Sequence, residues 1–181
     1  MEHPEFILLG DAVWLDFVNS ARGRTAPSPD LLTDGASFER WSLALHLSDN
    51  GARPPFEAVL QFRRQLTAIA EALSGGQQPS GSGIAAINEI LAGSPGCFQL
   101  TRVGGEWQLR FAPDQPPGAL SAIARSAATT LTNPAAVVRQ CAAESCSLFF
   151  IDSSPGQTRR WCCPAVCGRH ARVERRRGPS R

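Results

Sequence analysis

Four cysteines near the C-terminal end, Cys141, Cys146, Cys162 and Cys167, form two C-x4-C pairs separated by fifteen residues. Two such pairs suit a tetrahedral ion, because each short loop can turn two sulfurs toward one point about 2.3 Å away. A thioredoxin-type redox site would instead need C-x-x-C at the start of a helix, a spacing the chain lacks. The pattern therefore predicts one structural Zn(II) per chain, bound by Cys141, Cys146, Cys162 and Cys167. A closed four-sulfur shell leaves no open position for an activated water, which disfavours catalytic zinc. Cys163 and His170 lie near enough in sequence to replace a member of the set, although the equal spacing favours these four. Cys97 reads as an ordinary buried thiol.

The second chemical signal is charge. All 18 basic residues are arginine and tyrosine is absent, which suggests a GC-rich bacterial coding sequence. Residues 1–138 hold nine Arg against thirteen acids, a balance of −4, whereas 139–181 hold nine Arg against three acids, +6. Arg159, Arg160, Arg169, Arg172, Arg175, Arg176 and Arg177 account for most of that excess. Four thiolates and one Zn(II) subtract two charges and still leave +4, enough for a phosphate-binding face. DNA is the expected partner. Arg172 and Arg176 are expected at phosphates and Arg169, nearest the helix start, at a base edge, with His170 as a phosphate or surface group beside them. Arginine runs also form solvated tails, so the fold must arbitrate.

The elements that must position these groups follow from local pattern. Leu148, Phe149, Phe150 and Ile151 read as a strand, Ser154-Pro155-Gly156-Gln157 as a type II turn, and Thr158 to Trp161 as the returning strand. Cys163-Pro164 can start a helix with Pro in its first turn, which places Cys167 in that helix's beginning and projects Arg169, Arg172 and Arg176 from one side. Knuckle, hairpin and helix around one ion is treble-clef-like geometry, with Phe149, Phe150 and Trp161 as its apolar packing. Upstream, Asp34 can cap a helix bearing Phe38, Trp41 and Leu45. A second helix runs from Pro54-Pro55 to Gly75-Gly76, and Ser74 to Gly83 reads as a loop before a third helix at Ile84–Leu91. Phe98–Val103 and Glu106–Phe111 alternate around Gly104-Gly105 as a hairpin. A last helix from Leu120 ends at Asn133-Pro134. The expectation is an α+β protein: a mainly helical domain with a β-hairpin over 1–133 and a small finger over 134–181, with separate cores.

Hydrophobic and charged contents of 43% and 19% are those of a soluble globular protein. The N-terminal residues carry acids and only a short apolar run, Phe6 to Leu9, so a cytoplasmic protein without membrane attachment is expected. His3, His46 and His170 are scattered and no catalytic constellation shows in the spacing, so an enzyme is not expected.

The segment CAAESCSLFFIDSSPGQTRRWCCPAVCGRHARVERRR resembles the CGNR zinc finger. Leu148, Phe149, Asp152, Ser154, Arg159, Arg160, Trp161, Cys162, Cys167 and Gly168 match its pattern, while Arg169 and His170 replace the name-giving Asn and Arg. Leu15-Asp16-Phe17-Val18-Asn19-Ser20, with Arg24 and the Trp41 helix, resembles the opening of the ABATE domain that precedes such fingers. The resemblance implies a stress-induced transcription regulator that binds DNA, whose N-terminal domain senses a small-molecule effector or forms a homodimer. Within that domain Asp16 and Asn19 either brace local backbone or line an effector pocket beside Trp14. An adaptor whose finger binds a protein or RNA is the alternative from another class.

Overall fold

The computed structural model describes residues 5–25, 27–47 and 53–177, with side chains up to Arg172 in the last helix. Ten elements follow in order: α1 Val13–Asn19, α2 Gly35–Ala44, α3 Phe56–Ser74, α4 Gly81–Ala92, β1 Gly96–Val103, β2 Glu106–Pro113, α5 Ala119–Thr132, β3 Val138–Gln140, β4 Phe149–Ile151 and α6 Cys167–Arg177. Local chemistry explains most boundaries. Asp34 caps α2 by accepting from Ser37 N, and the Ser37 hydroxyl answers the Asp34 N–H at 3.0 Å. Pro55 precedes α3, and Gly76 leaves that helix with a φ of 71°. Ser80 caps α4 through Gly83 N, so this helix starts inside the stretch expected to be loop. The β1–β2 turn puts Gly104 and Gly105 at φ 59° and 92°, the left-handed values that a tight hairpin turn requires.

The helices enclose one apolar core containing Trp14, Phe17, Trp41, Phe62, Leu66, Ile69 and Ile123. Phe17 is its hub, with ring centroids 5.4 Å from Trp41 and 5.9 Å from Phe38. That core does not end at the Asn133-Pro134 boundary, because Val138 and Phe149 belong to it and Ile151 packs against it. A second, smaller core holds the four cysteines with Leu148 and Phe150, and Ile7 and Leu9 from the N-terminal segment pack onto it.

Strand alternation explains the arrangement. Successive side chains of Leu148–Ile151 point to opposite faces, sending Leu148 and Phe150 to the cysteines and Phe149 and Ile151 to the helices. The two cores are distinct but adjoin, since β4 is a wall shared by both. Phe149 likewise packs the helical body and not the finger.

The finger's strand pairing also differs from the sequence reading. β4 pairs antiparallel with β3, Phe149 opposite Gln140 and Ile151 opposite Val138, and Thr158–Trp161 forms no strand. The Ser154–Gln157 turn does close, Gln157 N–H donating to the Ser154 carbonyl at 2.9 Å. Its positive φ, 49°, falls at Gln157 and none falls at Gly156, so the turn is not type II. The cause is Asp152, whose buried carboxylate accepts from Ser154 N, Ser154 Oγ, Arg159 N and Arg139 Nε and so winds the loop around itself. Burial drives the Asp152 pKa upward, but the Ser154 and Arg139 hydrogen bonds outweigh it and hold the carboxyl at about 2.

Candidate metal centre

The sulfurs of Cys141, Cys146, Cys162 and Cys167 all lie within 4.8 Å of one another and all four residues are buried. Cys146 and Cys162 are 3.7 Å apart, and Cys162 and Cys167 are 3.6 Å apart. A tetrahedron of four Zn–S bonds of about 2.3 Å has edges of about 3.8 Å, so this arrangement fits zinc. The charge argument agrees. A hydrogen bond from the Cys146 thiol pulls the Cys141 pKa far down, and the same contact pushes Cys146 up to about 12. Sulfurs this close compete for protons, and a divalent cation relieves that competition for all four together.

Backbone hydrogen bonds set the geometry. Cys141 N–H donates to Leu148 O and Ala142 N–H to Arg160 O, both at 2.8 Å, drawing the first knuckle against the loop that leads to Cys162. Cys167 is the first residue of α6, and the Cys163 carbonyl accepts from Val166 N and Cys167 N to start that helix. A side chain at Gly168 would meet the Trp161 ring at 3.4 Å, so glycine lets the indole pack against the helix start. The alternative ligands are not in the group: Cys163 is half-buried outside it and His170 is exposed. Cys97 sits exposed on the β1–β2 hairpin, not buried as expected, because that hairpin stands clear of both cores.

The arginines divide into two kinds. Arg159 is largely enclosed: it pairs with Asp11 at 2.5 Å, donates to the carbonyls of Trp161 and Cys162, and stacks 4.4 Å over Phe150. These contacts make Arg159 a tie between the loop and the N-terminal segment, with part of the side chain still at the surface. Arg160 is exposed beside Trp161, its guanidinium 5.4 Å from the ring. Arg169, His170 and Arg172 are exposed on α6. Arg175, Arg176 and Arg177 continue that helix, and their side chains lie outside the described residues.

Trp14, Asp16 and Asn19 lie together on α1. All three are buried and bonded: Trp14 Nε1 donates to Thr130 Oγ1 at 2.9 Å and Asp16 Oδ1 accepts from Gly10 N at 2.8 Å. Asn19 Nδ2 donates to Phe149 O at 2.8 Å, and Phe149 N–H returns a bond to Asn19 Oδ1 at 2.9 Å. Each of these bonds joins neighbouring backbone or side chain, the bracing role expected of Asp16 and Asn19. Asn19 imitates a β-ladder rung, clamping β4 to α1 across 130 positions of sequence. Three residues before it on the same helix side, Asp16 holds Gly10, whose carbonyl accepts from Ile151 N at 3.0 Å. Sequence reasoning named Asp16, Asn19 and Asp152 but missed Gly10 and the distant partner, Phe149, that Asn19 clamps. The signal available was a polar Asp and Asn at helical spacing inside the otherwise apolar LDFVN run.

Among the described residues no helix is long and apolar enough to cross a membrane. The chain matches the ABATE family, described as "Putative stress-induced transcription regulator", over residues 11–134, and the CGNR zinc finger over residues 138–178. No curated protein matches it.

Proposed function

We propose, from the premise that the chain belongs to the ABATE family and ends in a CGNR zinc finger, that it regulates transcription by gripping DNA with the exposed arginines of that finger. The observation that carries this reading is the placement of Arg169 and Arg172, three residues apart and exposed on a helix whose first residue is a zinc ligand. Bound zinc supplies a cross-link and leaves no coordination site for a substrate, in keeping with a binding protein and not an enzyme. The residues do the rest. Cys167 fixes the start of α6, Gly168 and Trp161 fix its packing, and Asp152 and Arg159 hold the loop from which Arg160 projects. A preorganised guanidinium loses little entropy on meeting a phosphate, and its fork can donate to two of its oxygens. The N-terminal body serves sensing or dimerisation in this reading, and its location is the cytoplasm.

The test is duplex binding by the full chain, followed by fluorescence anisotropy at several salt concentrations. Log K is expected to fall by about 0.9 per log unit of salt for each neutralised phosphate. Arg172→Ala with Arg176→Ala should weaken binding to all sequences alike and flatten the slope by about two units, whereas Arg169→Ala should alter sequence preference. Weak binding that ignores salt and is unchanged in the double variant would reject the DNA reading and favour the protein or RNA adaptor.

A further inference from the structure

An amphipathic hairpin that turns its apolar face outward marks a second functional surface. In β1–β2, Phe98 opposes Phe111, Leu100 opposes Leu109 and Arg102 opposes Trp107. Because side chains alternate, these six share one face, while Gln99, Thr101, Gln108 and Arg110 occupy the other. Phe98, Leu100, Trp107 and Leu109 are 65–69% exposed and Phe111 is 44% exposed. None of them joins either core. A lone two-stranded hairpin is marginal in water, and a contiguous patch of this kind marks an interaction site.

We propose that this face is the contact through which two copies of the chain pair, apolar face on apolar face about a two-fold axis along the Leu100–Leu109 rung. The pattern is self-complementary about that rung. Two-fold rotation keeps Leu100 on Leu100 and Leu109 on Leu109, and lays the Phe98–Phe111 rung over the second copy's Arg102–Trp107 rung. Phe111 then meets an indole and Phe98 meets a guanidinium, both favourable ring contacts. Such packing keeps the strands of the two layers nearly aligned, the usual geometry of stacked sheets.

Area and charge select this occupant. At about 200 Å² per large side chain, these exposures leave roughly 600 Å² of apolar surface per copy, so a pair covers about 1,200 Å², the lower end of stable interfaces. Arg102 and Arg110 are balanced by Glu106 and Asp114, so the hairpin lacks the basic surplus that nucleic acid or an anionic membrane would demand. This inference stands independently of what the finger binds.

Sedimentation velocity of the full chain, with reductant present so that Cys97 cannot cross-link, tests it. The wild type should form a concentration-dependent dimer. Leu100→Asp with Leu109→Asp should weaken dimerisation at least about 100-fold, with zinc content and circular dichroism unchanged because both positions are exposed in the single chain. Gln108→Asp, on the polar face, should leave the dimer intact. A wild type monomeric throughout, a dimer that survives the double leucine variant, or equal loss in Gln108→Asp overturns the proposal. So does a monomer captured by phosphatidylglycerol vesicles through this face.

Discussion

In the helical body, Trp14, Leu15, Phe17, Leu66, Ile69 and Ile123 are completely shielded, and their burial alone gives α1, α3 and α5 a reason to associate. Among the described residues the cysteine module completely buries two large apolar side chains, Leu148 and Phe150, and packs them against the four cysteines and Ala143. One region is held by area removed from water and the other by chelation, since so short a segment cannot gather enough apolar surface by itself. The difference teaches where to look for coupling. A module without a sufficient core borrows one, and β4 does so by placing Phe149 in the body and Phe150 in the module.

The largest expected effect comes from removing the cross-link. Cys167→Ser should lower zinc from one per chain to almost none, measured by elemental analysis, because structural zinc contributes on the order of 10 kcal/mol to such modules. Were the two cores independent, the body would be indifferent. The shared strand predicts otherwise: the body should unfold at lower temperature, followed by the helical circular dichroism signal, as Phe149 and Val138 lose their anchorage. An unchanged body melting temperature would break the comparison and restore two separate units.

Much of the body was legible because its signals are local. The Asp34–Ser37 box, the Pro55 start and Gly76 exit of α3, and the Gly104-Gly105 turn each need only a few neighbouring residues. The two C-x4-C pairs were legible for the same reason, since ligand spacing is a local property. What escaped depends on distant partners or short elements. Helix α1 has seven residues and no capping side chain, so it leaves little periodic signature. Strands β3 and β4 have three residues each, too few for alternation to reveal their pairing. Adjacent Arg159 and Arg160 look alike in sequence, yet Asp11, 148 positions away, claims one and leaves the other at the surface.

The Asn19 clamp sharpens the comparison at the joint itself. It is a polar contact within a largely apolar seam, satisfying both backbone groups of Phe149. Asn19→Ala would strand a buried N–H and a buried carbonyl, at about 1–3 kcal/mol each, so a loss of about 4 kcal/mol is expected. Denaturant unfolding measures it. Asn19→Asp should not rescue, because its second oxygen would face the Phe149 carbonyl with no proton to donate. A loss below about 1 kcal/mol would mean that the Asn19 clamp contributes little to joining the two regions.

Asp16 should give the smallest effect, and one that appears only with pH. Burial raises its pKa from 3.8 to about 7, against the opposing pull of the Gly10 hydrogen bond. The folded state therefore keeps a proton that the unfolded chain has already lost near pH 4. Because the folded state binds more protons between pH 4 and 7, stability falls as pH rises through that window, by about 2 kcal/mol from pH 5 to 7. Asp152, at 3.8 unfolded and about 2 folded, contributes an opposite slope only below about pH 5 and so leaves the pH 5–7 interval to Asp16. Asp16→Asn mimics the protonated acid: its oxygen can still accept from Gly10 N–H, and Gly10 can still receive Ile151. The variant should match the wild type at pH 5 and exceed it at pH 7, in urea unfolding at fixed zinc. Zinc retention also varies with pH, but wild type and variant share that dependence and the difference curve removes it. Parallel profiles would show that the carboxylate keeps its charge in the fold, and that the tie from α1 through Gly10 to the finger rests on an ionised group.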